Sequence, residues 1–588
     1  MRDDFGFVGV MEEPCMAKKL RVGLFIDSYQ IPSWAFVMID TIAGSDYATI
    51  ALIVTKSEPV IGETARCLGL PEKMKDFLLS SYCNWDRFFT KLEPNAFELK
   101  DGQALMKDFP CIEIALGYTE SGKKKISVED CEKIGEYNLD VLISLSCESL
   151  DGSSLSCAQY GIWSYQPGGD VNCGEAGGIL EVFEARGETE NILKILDRGD
   201  GRDTVLCRSY AQTNKMSVCE HNNISYWKTT TFILRKLRAL HVLGEQEFFV
   251  GLRRESQHPA FWSKKKFADV KITEWIRLIL RQLLKISATL LRKIFYFNQY
   301  ILLFDFNPCE EFSSTVSTYK KIIPPYDRFW ADPFVVYENS QYHIFVEEVI
   351  SPSSRGHISC FTLDAQGAIS LPKKVIEKPY HMSYPFIFSH NNEYYMIPET
   401  SENRTIDLYK CVDFPEKWEI VTTLAENISA ADATLFHKDG KWWLFACVCE
   451  NPGTPSNDEL FLFYSTDLFS QKWTPHIKNP IVSDVGSARP AGKIFVYNGN
   501  IYRPSQNSSK RYGYGVKMNQ IVVLSETEYK EECVCSIEPH WDKIIIAVHT
   551  LNGANGLTII DGLMKRSRRP ADLLRYLRRR WNSSTRQR

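Results

Sequence analysis

Two kinds of hydrophobic pattern divide the chain. In the first half, short apolar runs are separated by polar, helix-compatible stretches. RVGLFID (21–27), YATIALIV (47–54) and LDVLISLS (139–146) are such runs, and KKKISVEDCEKIGEY (123–137) lies between two of them. Apolar strands alternating with helical segments predict a doubly wound parallel sheet. Ligands of such sheets bind beyond the carboxyl ends of the strands. No glycine-rich dinucleotide fingerprint and no P-loop motif is present.

The second half repeats itself. WADPFVVYENSQYHIFVEE (330–348), MSYPFIFSHNNEYYMIPET (382–400), AADATLFHKDGKWWLFACV (430–448) and SARPAGKIFVYNGNIYRPSQN (487–507) share a strand, a polar turn and a second aromatic-rich strand. EPHWDKIIIAVHTLNG (538–553) is a weaker fifth copy. A period of roughly 50 residues with several strands per unit predicts a five-bladed β-propeller. Asp332, Pro385, Asp432 and Arg489 recur at the start of the first strand of each copy, which lines the axis, so these residues are expected to converge there. Converging carboxylates and an arginine at one axial mouth suit binding and processing of a sugar.

Between the halves lies a basic helical segment, KITEWIRLILRQLLKISATLLRKIFYF (271–297). Arg277, Arg281 and Lys285 fall on one stripe, and Trp275, Ile279, Leu283, Ile286 and Leu290 on another. In the tail, ADLLRYLRRRW (571–581), Leu573, Leu577 and Trp581 share a face among Arg575, Arg578, Arg579 and Arg580. A basic helix with an apolar stripe either lies on an anionic membrane surface or packs between domains. The expected division is an acidic leader (1–20), an α/β domain (21–255), the connector (256–305), the propeller (306–564) and the basic tail (565–588).

The net charge of −4 argues against a nucleic-acid partner. Seventeen scattered cysteines read as reduced thiols, and the leader lacks the pattern of a secretory signal, so a cytoplasmic protein, peripheral at a membrane through its basic pieces, is expected. The cysteine pairs Cys447/Cys449 and Cys533/Cys535 have poor metal geometry in a strand, and no metal site is expected.

WADPF, FVEE, HMSYPFIF, MIPET, DATLFHKDGKWWLF, SARPAGKIF, IYRPSQ, YGYGV and HTLNG together resemble the N-terminal propeller of plant glucosamine inositolphosphorylceramide transferases and their bacterial relatives. That fold is similar to the five-bladed propellers of furanosidase-type glycoside hydrolases. The resemblance implies a catalytic set of Asp332, Asp432 and Glu399. It implies substrate contacts from Glu348, His381, Tyr384, Arg489, Gln506 and His549. Arg489 stands at the blade position where a glycosidase would carry its acid.

The first region resembles the formyltransferase fold through LDVLISLSCESL, YGIWSYQPGGDVNCGEAGGILEVFEA and LDRGDGRDTVL. Active members use an Asn, a His and an Asp; the matching positions are Ser164, Gln166 and either Asp197 or Asp200. A glutamine amide donates a hydrogen bond but exchanges no proton at neutral pH. A degenerate pocket is therefore expected, with 10-formyltetrahydrofolate a cofactor only if the domain is active. Three functions follow: a transferase acting on a sugar or sugar-linked lipid, a non-catalytic glycan or phospho-sugar scaffold, and an amino-sugar N-formyltransferase.

Overall fold

A computed structural model describes residues 18–57, 70–118, 124–146, 157–167, 177–196, 203–255, 270–306, 316–353, 355–570 and 572–573. Residues 1–17 of the acidic leader, Asp197, Asp200 and the tail beyond Leu573 lie outside the described residues, as does the Gln166 side chain. The chain divides into two compact units, the first running to Leu283 and the second carrying Leu284–Glu450 and Pro455 onward.

The first unit holds a seven-stranded sheet: β1 (Leu20–Ile26), β2 (Ala48–Lys56), β3 (Cys111–Ile114), β4 (Val141–Ser144), β5 (Ile162–Pro167), β6 (Glu188–Ile195) and β7 (Thr204–Gln212). Its order is β7-β6-β5-β4-β1-β2-β3. The first five strands run parallel, and β6 is antiparallel to both β5 and β7. The three apolar runs become β1, β2 and β4, whose buried residues include Val22, Leu24, Ile50, Ile53, Val141 and Ile143. KKKISVEDCEKIGEY yields a short strand at Lys124–Ile126 before its helix, Val128–Gly135, whose N-cap Ser127 accepts the Asp130 amide. The strand order reverses between β1 and β4, where Ser146 donates to Asp27 at 2.8 Å.

In the second unit five sheets surround an axis. The first four blades begin with inner strands at Arg328–Glu338, Ser383–His390, Ala430–Lys438 and Phe495–Tyr497. Each is followed outward by three antiparallel strands. The fifth blade joins the two ends of the propeller. Tyr296–Phe306 pairs along its whole length with Leu557–Ser567, with the short strands Ile545–Ala547 and Leu551–Ala554 on the inner side and Lys320–Ile322 outermost. A helix, Ile272–Phe295, runs straight into Tyr296–Phe306. The connector read from sequence therefore ends ten residues early, because its last stretch is blade strand. Aromatic and aliphatic residues of adjacent blades fill the gaps between them, as Phe334, Phe345, Phe386 and Trp418 do between the first and second.

Candidate functional site in the propeller axis

The inner strands are interrupted at one level. Pairing slips between Ala331 and Phe334, between Ser383 and Phe386, and between Ala431 and Thr434. Inside each bulge one residue takes a left-handed conformation: Asp332 (φ 50°), Tyr384 (φ 42°) and Asp432 (φ 54°). In the fourth blade the positive φ falls one residue past the equivalent position, Ala491, at Gly492 (φ 136°), where a Cβ would stand 2.0 Å from the Leu551 carbonyl oxygen, so only glycine fits. A bulge re-aims a side chain out of the pleat, and here it turns these residues toward the axis. Counted back seven residues from each turn, the repeat position is thus held by Tyr384 in the second blade and Ala491 in the fourth, and the sequence alignment on Pro385 and Arg489 is out of step by one and two residues. Arg489 lies in an irregular segment ahead of the fourth inner strand.

Arg489 is buried and binds two other blades. Its Nε and Nη2 donate to Asp432 at 2.6 and 3.1 Å, Nη2 also donates to Glu399 at 3.0 Å, and Nη1 donates to the Ser456 carbonyl at 3.0 Å. Tyr512 covers the guanidinium, 5.2 Å from its ring centre. Gln506 donates its amide to Asp432 at 3.1 Å, while its buried carbonyl oxygen has no hydrogen-bond partner among the described residues. An unpaired buried acceptor beside a charged cluster is a place for a ligand hydroxyl or a water.

Across the axis, Asp332 accepts the Thr550 hydroxyl at 2.5 Å and the Tyr384 amide at 3.3 Å. His549 Nδ1 lies 2.5 Å from Asp561, whose other oxygen accepts the backbone amides of His549 and Thr550. The imidazole stacks on Tyr300 at 4.7 Å. Burial opposes its charge, but Asp561 and Asp332 outweigh burial and raise it to about 9. Asp332, His549 and Asp561 bring ligand-type atoms within 4.8 Å of one another. In the absence of a metal the three groups form an ion-paired cluster.

The carboxyls of the site differ in protonation. Burial pushes Asp332 up and pushes Glu347 and Asp432 well up. Burial also acts on Glu399, but Arg489 and the Ser401 hydroxyl outweigh it and hold that carboxyl below its ordinary range. Glu347 has no arginine. Its neighbour is His381, whose Nδ1 accepts the Gly356 amide at 2.9 Å and whose Nε2 therefore presents its proton to Glu347 Oε1 at 3.3 Å.

Asp332, Asp432, Glu399, Arg489, Gln506 and His549 are thus brought together, with His381 at the edge. Two expected contacts fall elsewhere. Glu348 points to the opposite face of its strand, where Ser359, Trp330, Arg328 and His357 surround it at 2.8–3.2 Å. Burial opposes its charge, but those donors bring it down to about 2, a structural role. Tyr384 is wholly buried, and its hydroxyl bonds Thr434 at 2.9 Å and both backbone groups of Gly492, so it forms the floor. Glu347 is the residue that sequence reasoning missed. It stands eight residues after the turn residue Asn339, as Glu399 stands eight after Asn391, and that register was the available signal. In the first unit, Ser164 and Gln166 lie on β5, paired to Lys194 and Ile192.

Comparisons with known proteins concern the propeller. Among solved structures, a family 117 glycoside hydrolase, Zg3597 from Zobellia galactanivorans, is 10% identical with a TM-score of 0.30, covering 46% of this chain and 91% of that one. An exo-1,5-alpha-L-arabinanase from a bovine ruminal metagenomic library is 15% identical with a TM-score of 0.28, covering 40% and 92%. Glucosamine inositolphosphorylceramide transferase 1 of Arabidopsis thaliana is 32% identical over 206 residues, 34% of this chain and 27% of that protein. The protein of the same name from Oryza sativa subsp. japonica is 34% identical over the same shares. The chain thus spans about a quarter of the length of these plant proteins. Residues 314–553, the greater part of the propeller, match the family model described as glucosamine inositolphosphorylceramide transferase 1, N-terminal.

Proposed function

We propose that the propeller is a carbohydrate-active module of a transferase, with a sugar or sugar-linked lipid as its ligand in the axial cavity. The observation that carries this is the unequal pairing of the buried carboxyls: among the described residues Arg489 bonds Glu399 at 3.0 Å, whereas Glu347 faces His381 at 3.3 Å and pairs with no arginine. Glu347 is driven toward the neutral acid, while Arg489 keeps Glu399 ionised. Carboxyls pushed apart in this way are the parts of acid–base chemistry at an acetal centre. Glu347 would donate a proton to a departing oxygen, and Asp332, held by Thr550 and the Tyr384 amide, would take one from an attacking hydroxyl. Gln506 and Tyr512 would seat the sugar. The plant relatives' name supports a sphingolipid-type acceptor.

The test uses the full chain with nucleotide-sugar donors and inositol-phosphorylceramide acceptors, and with aryl glycosides for hydrolysis. Turnover should fall by about a hundredfold or more in Glu347→Gln. Turnover unchanged in that variant removes the reading.

One observation favours a second reading, a glycan-binding scaffold. Asp432, Glu399 and Arg489 already satisfy one another, so the site holds fewer free reacting groups than its carboxyl count suggests. Sugar binding with no turnover on any donor supports the scaffold.

For the first unit we infer a formyltransferase-like scaffold, supported by the strand order, the antiparallel β6 and the motif order along the chain. Ser164 and Gln166 do not match the oxyanion-stabilising pair needed for formyl transfer, so 10-formyltetrahydrofolate consumption should remain at background. Membrane contact is also proposed, through Ile272–Phe295. Ile276, Leu280, Leu284, Leu291 and Phe295 of that helix are 42–71% exposed along one stripe beside exposed Arg277, Arg281 and Arg292. No helix among the described residues is long and apolar enough to cross a membrane.

A further inference from the structure

The inner strands of the fourth and fifth blades line a second, partly open cavity of about 250 Å³. Its lining is Lys493, Ile494, Phe495 and Pro504 from one blade and Leu551–Asn555 from the other. Lys493 is the residue after the floor glycine. Its amide is fixed by the Asn552 side chain at 2.9 Å, and that side chain in turn donates to the Pro333 carbonyl at 2.7 Å. The backbone carrying Lys493 is therefore set by contacts to two other blades.

The ammonium itself is poorly served. Among the described residues its hydrogen-bond partner is the Val335 carbonyl, at 3.5 Å, and no ion pair is formed. No other lining residue is titratable, and burial alone pushes the amine down to about 8. A half-buried cation against apolar walls and without a counter-charge is unfavourable, and methionine or leucine would fill the same space more cheaply.

We infer that this cavity is a second ligand site of the propeller, separate from the axial one, which seats a small oxyanion, a carboxylate or phosphate ester, on Lys493. The anion supplies the missing charge. The apolar walls of Ile494, Phe495 and Leu551 accept the carbon skeleton that carries it, and the Asn555 end admits polar groups.

Inorganic phosphate and acetate are the probes, titrated calorimetrically into the full chain at pH 7. At least one should bind, and Lys493→Met should weaken it by about tenfold or more, the loss expected for a charge-assisted hydrogen bond. Preference for phosphate points to phosphorylated ligands, and preference for acetate to sugar acids. In the parent protein, isotope-methylated lysines provide a readout that needs no folded variant. The resonance titrating near pH 8 should move upward when the anion is added, because the bound anion favours the ammonium. The site is excluded if neither probe binds, if Lys493→Met binds equally well, or if that resonance ignores the anion.

Discussion

The Tyr384 hydroxyl, on the second blade, accepts the Gly492 amide of the fourth at 2.9 Å and lies 3.2 Å from the carbonyl oxygen of the same residue. A single side chain thereby ties two non-adjacent blades at the carboxyl-rich axial site.

That contact makes Gly492 intolerant of change. Gly492→Ala would place a methyl group against the Leu551 carbonyl at a positive φ, and should cost about 3 kcal/mol or more. Urea unfolding followed by tryptophan fluorescence measures it.

Arg489 is a structural tie as well as a site residue. Arg489→Ala leaves Asp432 and Glu399 buried without their cation, and should destabilise the propeller by about 3 kcal/mol. Thermal melts of the variant and of Arg489→Lys separate lost charge from lost fork geometry.

Glu347 and Glu399 should respond oppositely to the same isosteric change. Glu347→Gln replaces a group that is already driven neutral, so stability should move by less than about 1 kcal/mol while turnover disappears. Glu399→Gln removes a charge paired with Arg489 and should cost about 2 kcal/mol. Denaturation midpoints of the two variants, measured side by side, decide this.

His549 imposes a pH signature. Its folded value, about 9, exceeds the ordinary 6.5, so the folded state holds the proton more tightly. The resulting stability, about 3 kcal/mol, is complete below pH 6.5 and is lost as pH rises through 9. Melting temperatures from pH 6 to 9.5 should fall more steeply for the parent than for His549→Gln.

Vesicle sedimentation tests the exposed stripe of Ile272–Phe295. The full chain should bind anionic vesicles and not neutral ones, and added salt should weaken the binding. Replacing Leu280 and Leu284 by serine should abolish it. Retained binding in that variant shifts attention to the tail.

Much of the propeller was legible because each blade repeats a turn between aromatic strands, and repetition survives where single strands are ambiguous. The bulge was less legible. It lies on the inner strand and re-aims Asp332, Tyr384 and Asp432 in a way that simple alternation does not foretell. On the neighbouring strand of the first blade the resemblance implied Glu348, whereas Glu347 is the carboxyl that interacts with the axial cluster. Arg489 was recognised as a site residue, but its three-blade attachment depends on contacts between residues far apart in sequence. In the first unit, β6 and β7 escaped notice because they mix polar and apolar residues on both faces. Thr189 and Asn191 are buried there although their types suggest solvent.

The pairing of Tyr296–Phe306 with Leu557–Ser567 gives this molecule a timetable. The propeller's first strand leaves the ribosome long before its partner exists, and four blades can stack while the ring stays open. Until the last blade is synthesised, the edge of Tyr296–Phe306 is an unpaired template able to recruit a strand from another nascent chain. The clasp that completes the ring is also the point at which synthesis is most exposed to misassembly.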